Sequence, residues 1–175
     1  MTASSTHKVH GSVEISHEQL CAVLRSSQFF GDFPENEIAL LAKYVQIRQV
    51  GVNTIMFREG DRGGFMCLLI DGAAELFKQD RSYGSKRIAQ IDAGKTVGEM
   101  ALVDGEPRSA TCICAEPSSW AVLTREHFVR IIRESPSLSV NILLKIVMLM
   151  SRRLRQTSGQ LVDSLEHRET GRAPQ

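Results

Sequence analysis

Apolar residues in this chain follow three rhythms in succession: helical, then alternating, then helical again. Leu20, Val23 and Leu24 recur at helical spacing behind Ser16-His17-Glu18-Gln19, which reads as a capping box that starts a helix. Phe29-Phe30-Gly31-Asp32-Phe33-Pro34 breaks that helix, and Pro34 is placed to open a second with Ile38, Leu41 and Ala42 on its buried stripe. From Val45 the period shortens toward two. Strands are predicted over Val45–Val50, Thr54–Arg58, Phe65–Ile70, Ala74–Lys78, Arg87–Ile91, Thr111–Ala115 and Trp120–Leu123, separated by turn sequences such as Asp71-Gly72 and Asp92-Ala93-Gly94. Many short strands with regular glycine turns predict a small closed or rolled β structure.

After the strands, Thr124-Arg125-Glu126-His127-Phe128 begins a helix that carries Phe128, Ile131 and Ile132, and Pro136 ends it or opens the next. From Ser137 to about Arg168 there is no proline, and Gly159 is the only glycine. A helix of some 30 residues would be about 45 Å long. Leu143, Ile146, Met150, Leu154, Thr157, Leu161 and Leu165 fall on one side of it. Its first half is apolar nearly all round and is expected to bury; its second half carries a narrow seam that suits pairing with another helix. Residues 1–15 read as a flexible arm and 169–175 as a flexible tail.

Composition narrows the class. The 175 residues suit one domain with some tail, and 42% hydrophobic content is enough for a core. A formal net charge of +1 gives no global attraction to nucleic acid or anionic membrane. The longest apolar run, Ile142 to Met150, is interrupted by Lys145, and Met1 to Glu14 has no apolar signal core. A cytoplasmic protein without membrane association is expected. The cysteines are Cys21, Cys67, Cys112 and Cys114. Cys112 and Cys114 share one face of a strand, with no histidine nearby, and read as buried small hydrophobes rather than as a metal site. No metal is expected, and no nucleophile, base or metal set marks an enzyme.

The chemistry concentrates in Gly98-Glu99-Met100-Ala101-Leu102-Val103-Asp104-Gly105-Glu106-Pro107-Arg108-Ser109-Ala110-Thr111. Glycine at 98 lets backbone approach closely. A helix starting near Glu99 would aim free N–H groups at an anion. Arg108 offers a fork of donors suited to a phosphate, and Ser109 adds a hydroxyl. Glu99 has the wrong charge for that phosphate, but a sugar hydroxyl would give it a donor. Phosphate plus ribose means a nucleotide.

This segment resembles the phosphate-binding cassette of the cyclic nucleotide-binding domain family, F-G-E-x-A-L, a spacer, then P-R-S-A-T. Phe57-Arg58-Glu59-Gly60-Asp61 and Leu69-Ile70-Asp71-Gly72 are also similar to the family's pattern, and its turn glycines match Gly60, Gly72 and Gly94. Val97 stands where the family usually has Phe, with no loss of binding expected. The resemblance spans roughly Phe29 to Leu161. It implies an α+β fold: an eight-stranded antiparallel, jelly-roll-like β-roll with N-terminal helices and a long C-terminal helix. The domain would occupy 16–136 and a dimerisation or lid helix 137–168. It also implies that Glu99 holds the ribose 2′-hydroxyl. Arg108 would pair with the cyclic phosphate, helped by Ser109, by Ala110 beside it and by the N–H groups of Gly98, Glu99, Met100 and Ala101.

Arg152-Arg153-Leu154-Arg155-Gln156-Thr157-Ser158 resembles the dimer helix of the family's catabolite-activator branch, in which the matching threonine and the partner subunit's serine contact adenine. Thr157 would sit on the seam, where a hydroxyl packs poorly unless something polar meets it; a seam residue that fixes register is the other reading. The three arginines read as solvated charge, or as pairing with Asp163 or Glu166, rather than as a nucleic-acid contact. The chain stops at Gln175, before any helix-turn-helix, so direct DNA binding is not expected. The sequence thus predicts a stand-alone receptor of the bacterial type. Its ligand is cyclic AMP, with cyclic GMP or cyclic di-GMP as alternatives. Its partners are a second copy of itself and a downstream protein whose behaviour it regulates allosterically. A ligand-free dimerisation module, and a transcription regulator without its own reading head, stay open.

Overall fold

A computed structural model describes residues 15–80 and 84–169. The predicted arm and tail lie outside those residues, save for one residue at the inner end of each. Helix α1 (His17–Ser26) starts on the capping box: the Gln19 N–H donates to Ser16 Oγ at 3.1 Å and the Ser16 N–H donates to Gln19 Oε1 at 2.8 Å. Two N–H groups that a helix end leaves unpaired are thereby satisfied, which is worth about 1 kcal/mol. Helix α2 (Glu35–Leu41) follows Pro34. Leu20, Leu24, Ile38 and Leu41 are buried with Phe29, Phe30 and Phe33, whose rings meet edge to face at 4.7 and 5.5 Å.

Eight strands form two four-stranded antiparallel sheets. One has the order β1 (Val45–Val50), β8 (Ser118–Thr124), β3 (Phe65–Asp71), β6 (Thr96–Val97). The other has the order β2 (Ile55–Phe57), β7 (Thr111–Cys114), β4 (Ala73–Gln79), β5 (Ser85–Asp92). The eight-stranded roll is as the family resemblance implies. Alternation predicted seven of the strands. It misses β6, a two-residue strand too short to show a period, which exists because Val97 and Thr96 pair with Cys67 and Leu68.

Phe57, Cys67, Leu69, Ala74, Ile91, Val97, Cys112, Cys114, Trp120 and Val122 form the core of the roll. Cys112 and Cys114 are small apolar fillers there, and all four cysteines are free thiols. Burial pushes the Cys112 thiol up to about 12 and raises Cys67 and Cys114 as well, so none of the three is a thiolate nucleophile near neutral pH.

Helix α4 (Arg125–Glu134) is capped by Thr124, whose hydroxyl accepts from the His127 N–H at 3.1 Å. Phe128 and Ile131 are buried and Ile132 is exposed. His127 Nδ1 donates to the Tyr44 carbonyl at 2.6 Å and the Tyr44 hydroxyl donates to Glu134 Oε2, tying α4 to the chain just before β1.

Pro136 opens α5 (Pro136–Glu169), 34 residues and about 50 Å long. The described residues form two compact units that part between Ser139 and Val140, within this helix. The first half of α5 is not covered all round, since Val140, Leu144, Val147 and Met148 are exposed. The exposed apolar positions Val140, Leu144, Val147, Leu154, Leu161 and Leu165 fit one heptad line that passes through Ser151 and Ser158. Leu143, Ile146 and Met150, expected to bury with the first half of the helix, lie off this line, and Ile146 is buried; Thr157 flanks the line. Among the described residues no helix is long and apolar enough to cross a membrane.

Candidate functional site

The cassette is built where β6 ends. Gly98 takes φ +80°, turning the chain from the sheet into the five-residue helix α3 (Glu99–Val103). A side chain is excluded there twice over. The backbone is left-handed, and a Cβ would stand 2.3 Å from Arg108 Nη1 and 3.1 Å from the Phe65 carbonyl oxygen. Gly63 is equally constrained by space alone, since its Cβ would meet the Ala101 Cβ at 2.0 Å and the Glu106 carbonyl oxygen at 2.9 Å.

The segment after α3 is laid along the β2–β3 turn. The Arg108 N–H donates to the Asp61 carbonyl at 2.8 Å and the Gly60 N–H donates to the Arg108 carbonyl at 2.9 Å, beside a bridge between Arg62 and Pro107. The Glu59 N–H donates to Thr111 Oγ1 at 3.0 Å. Lys78 on β4 donates to the Ser109 carbonyl at 2.8 Å and to Glu59 Oε1 at 2.9 Å, while the Gln79 N–H donates to Glu59 Oε2 at 2.9 Å. These bonds hold the Glu59 carboxyl below the usual range, the Gln79 N–H contributing most and Lys78 next. Pro107, Arg108, Ser109 and Thr111 are thus each fastened, so the path of the chain through Arg108 and Ser109 is set by the roll.

Arg108 points inward. Its residue is only 4% exposed, and its guanidinium carbon lies 4.2 Å from the Phe57 ring centre and 4.3 Å from that of Phe65. Both rings are within cation–π distance of the guanidinium. Nη1 donates to the Gly98 carbonyl at 3.2 Å. Nε and Nη2 are buried and have no hydrogen-bond partner in the protein. Burial lowers the Arg108 pKa, opposed by Cys67, Cys112, Glu99 and Asp61; an arginine nevertheless stays charged. A desolvated cation with two unused donors in one plane is costly to keep. The cost is offset when a planar or tetrahedral oxyanion takes both donors.

Glu99, 1% exposed, is the other buried charge of the cassette, and Thr96 Oγ1 donates to its Oε1. Of the residues named from sequence, the structure brings Gly98, Glu99, Met100 and Ala101 together with Arg108, Ser109 and Ala110. Ala101 and Ala110 are buried, while Met100 and Ser109 are exposed. Thr157 and Ser158 are exposed on α5, in the second unit. Sequence reasoning missed Phe65, Thr96, Gly63 and Lys78 as parts of the site. Phe57 lay within a stretch similar to the family's pattern, but nothing in its spacing ties it to Arg108. Among the described residues no cluster of His, Cys, Asp and Glu could hold a metal ion.

Two antiparallel sheets rolled around one core, with a buried Glu on a Gly-initiated helical turn and a buried Arg in the loop that follows it, define a β-roll domain with a candidate anion site. The cyclic nucleotide-binding domain model matches residues 47–135, and the chain belongs to that family. It is 28% identical over 138 residues to the cyclic AMP receptor protein of Thermus thermophilus, an alignment that covers 79% of this chain and 62% of that one. A cyclic nucleotide-binding domain from Methylobacillus flagellatus superposes with TM-score 0.74 at 28% identity, covering 85% of this chain and 83% of its own. The Thermus thermophilus catabolite activator protein superposes with TM-score 0.71 at 28% identity, covering 80% of this chain and 63% of its own. The chain spans less than two thirds of the length of the Thermus receptor it matches.

Proposed function

We propose that this protein is a receptor for a cyclic nucleotide, cyclic AMP in particular, and that the cassette from Gly98 to Thr111 is its ligand site. The observation that carries this reading is the guanidinium of Arg108, buried and positioned with Nε and Nη2 unpartnered. A singly charged cyclic phosphate supplies the acceptors those two donors lack. Glu99 takes the ribose 2′-hydroxyl, and Ser109 with the N–H groups of Gly98 to Ala101 completes the phosphate shell. The relative named a cyclic AMP receptor protein supports adenine over guanine as the base.

The exposed heptad line of α5 supports a parallel homodimer through that helix, with Ser158 on the seam and Thr157 at its flank as the pair that meets the purine. Binding is coupled to the positions of the last two helices, and through them to a downstream protein, by population shift. Reversing a tenfold bias to tenfold the other way takes about 2.7 kcal/mol of differential affinity, within reach of the charged hydrogen bonds Arg108 makes.

Titration calorimetry with cyclic AMP, cyclic GMP and cyclic di-GMP tests the reading. Cyclic AMP is expected to bind tightest, and Arg108→Ala is expected to abolish its binding. Absence of binding by all three at high micromolar concentration, in well-folded protein, would sink it.

A further inference from the structure

Thr96 is a polar residue where the fold asks for an apolar one. It occupies the two-residue strand β6, is 3% exposed, and is fixed in register opposite Leu68. The residue before it is also pinned, because the Leu69 N–H donates to the Lys95 carbonyl at 3.0 Å. Valine has nearly the same shape and would fill this place without burying a hydroxyl, which is unfavourable unless a partner receives it. The Thr96 hydroxyl has a partner of functional consequence: it donates to Glu99 Oε1.

Glu99 reaches that bond from the first turn of α3. A glutamate has three side-chain torsions, and holding it in one conformation costs entropy that a fixed donor offsets. Threonine suits this task, because its branched Cβ restricts χ1 and its backbone is locked in the sheet. Both groups are almost wholly buried, so the bond acts where water competes little.

We propose that Thr96 is a positioning residue for sugar recognition: by donating to Oε1 it sets the plane of the Glu99 carboxylate and so the direction from which that carboxylate accepts a ribose 2′-hydroxyl. The proposal rests on the reading of Glu99 as the ribose ligand. It assigns to Thr96 a share of the discrimination between ribose and deoxyribose, although Thr96 itself touches no ligand.

Calorimetry with 3′,5′-cyclic AMP and 2′-deoxy-3′,5′-cyclic AMP provides the test. Thr96→Val should weaken cyclic AMP binding by roughly five- to tenfold, a fraction of a full charged hydrogen bond, and leave the deoxy compound within about twofold. Thr96→Ser, which restores the hydroxyl, should return cyclic AMP affinity to near the unmodified level. In a Glu99→Gln background, Thr96→Val should cost little more. A loss shared equally by both nucleotides, or no loss at all, overturns the proposal. Arg108→Ala run in parallel separates the two levels of inference. If it abolishes binding of both nucleotides while Thr96→Val fails to discriminate, the nucleotide site stands and the role of Thr96 falls. If the unmodified protein binds neither nucleotide, both fall. Should Thr96→Val not fold, as judged by thermal melting, Thr96→Ala makes the same comparison without the valine methyl.

Discussion

Arg108 and Gly98 are fitted to one another: Nη1 of the arginine donates to the Gly98 carbonyl at 3.2 Å, and a Cβ on residue 98 would lie 2.3 Å from the same nitrogen. The glycine serves both as the left-handed turn into α3 and as the space through which the guanidinium passes. Gly98→Ala is therefore expected to lose stability on the order of 1–2 kcal/mol from the positive φ alone. It should also lose at least tenfold in cyclic AMP affinity by displacing Arg108. Denaturant unfolding and calorimetry on one preparation measure the two effects.

Stability and binding should part company at Arg108 itself. An unpartnered buried guanidinium is a liability to the ligand-free fold, and an apolar side chain of similar length between Phe57 and Phe65 removes it. Arg108→Met is expected to melt at or above the temperature of the unmodified protein without ligand, and to show no thermal shift with cyclic AMP. A large fall in ligand-free melting temperature would show that the cation is a structural element of the roll.

Gly63 makes a prediction about space rather than charge. A methyl group there overlaps Ala101 and the Glu106 carbonyl, so α3 must move. Gly63→Ala should cost roughly 1–3 kcal/mol, as overpacked sites do. The paired substitution Gly63→Ala with Ala101→Gly should recover part of the loss, since it removes the closest atom. Chemical denaturation of the three variants gives the coupling.

The Glu59 carboxyl is held below its ordinary pKa by the Gln79 N–H and, next, by Lys78. Its contribution to stability is thus fully present above the unfolded carboxyl value, about 4.3, and is lost as pH falls through the lower folded value. Lys78→Met removes one of the two donors, raises the folded value toward the unfolded one, and should shrink that acid-side loss. Glu59→Gln should remove it. Thermal melts between pH 3 and 7 follow both.

On α5, Leu161 is 60% exposed on the heptad line. Leu161→Asp is expected to give a monomer in sedimentation velocity at concentrations where the unmodified protein is dimeric. Because all the proposed phosphate donors lie in the first unit, cassette binding should survive. Simultaneous loss of dimer and of all cyclic AMP binding would mean that the site depends on the partner copy.

What was readable in the sequence was what is local. Ser16 to Gln19 announced a capping box because both bonds lie within one turn. The start of α4 at Thr124-Arg125-Glu126 was local as well, and seven strands declared themselves by alternation. The cassette was legible because Gly98, Glu99, Arg108 and Ser109 lie close along the chain, and their donor and acceptor types already imply phosphate and sugar. The long final helix followed from the lack of proline. Which positions of its first half stay exposed was not legible, because hydrophobicity alone does not say which side of an apolar helix is uncovered.

Tertiary structure decided what distance along the chain conceals. Phe57 and Phe65 reach Arg108 only because β2 and β3 close around the roll's core. Lys78 meets the Ser109 carbonyl across 31 residues. The sequence determined that a glutamate and an arginine would stand nine residues apart, at the start of one short helix and just beyond its end. Only the packed sheets determined that both would be buried, that the arginine would keep two donors unused, and that Thr96 would hold the glutamate. Burial is what makes it costly to leave those groups unpaired, since in water the same groups would be solvated.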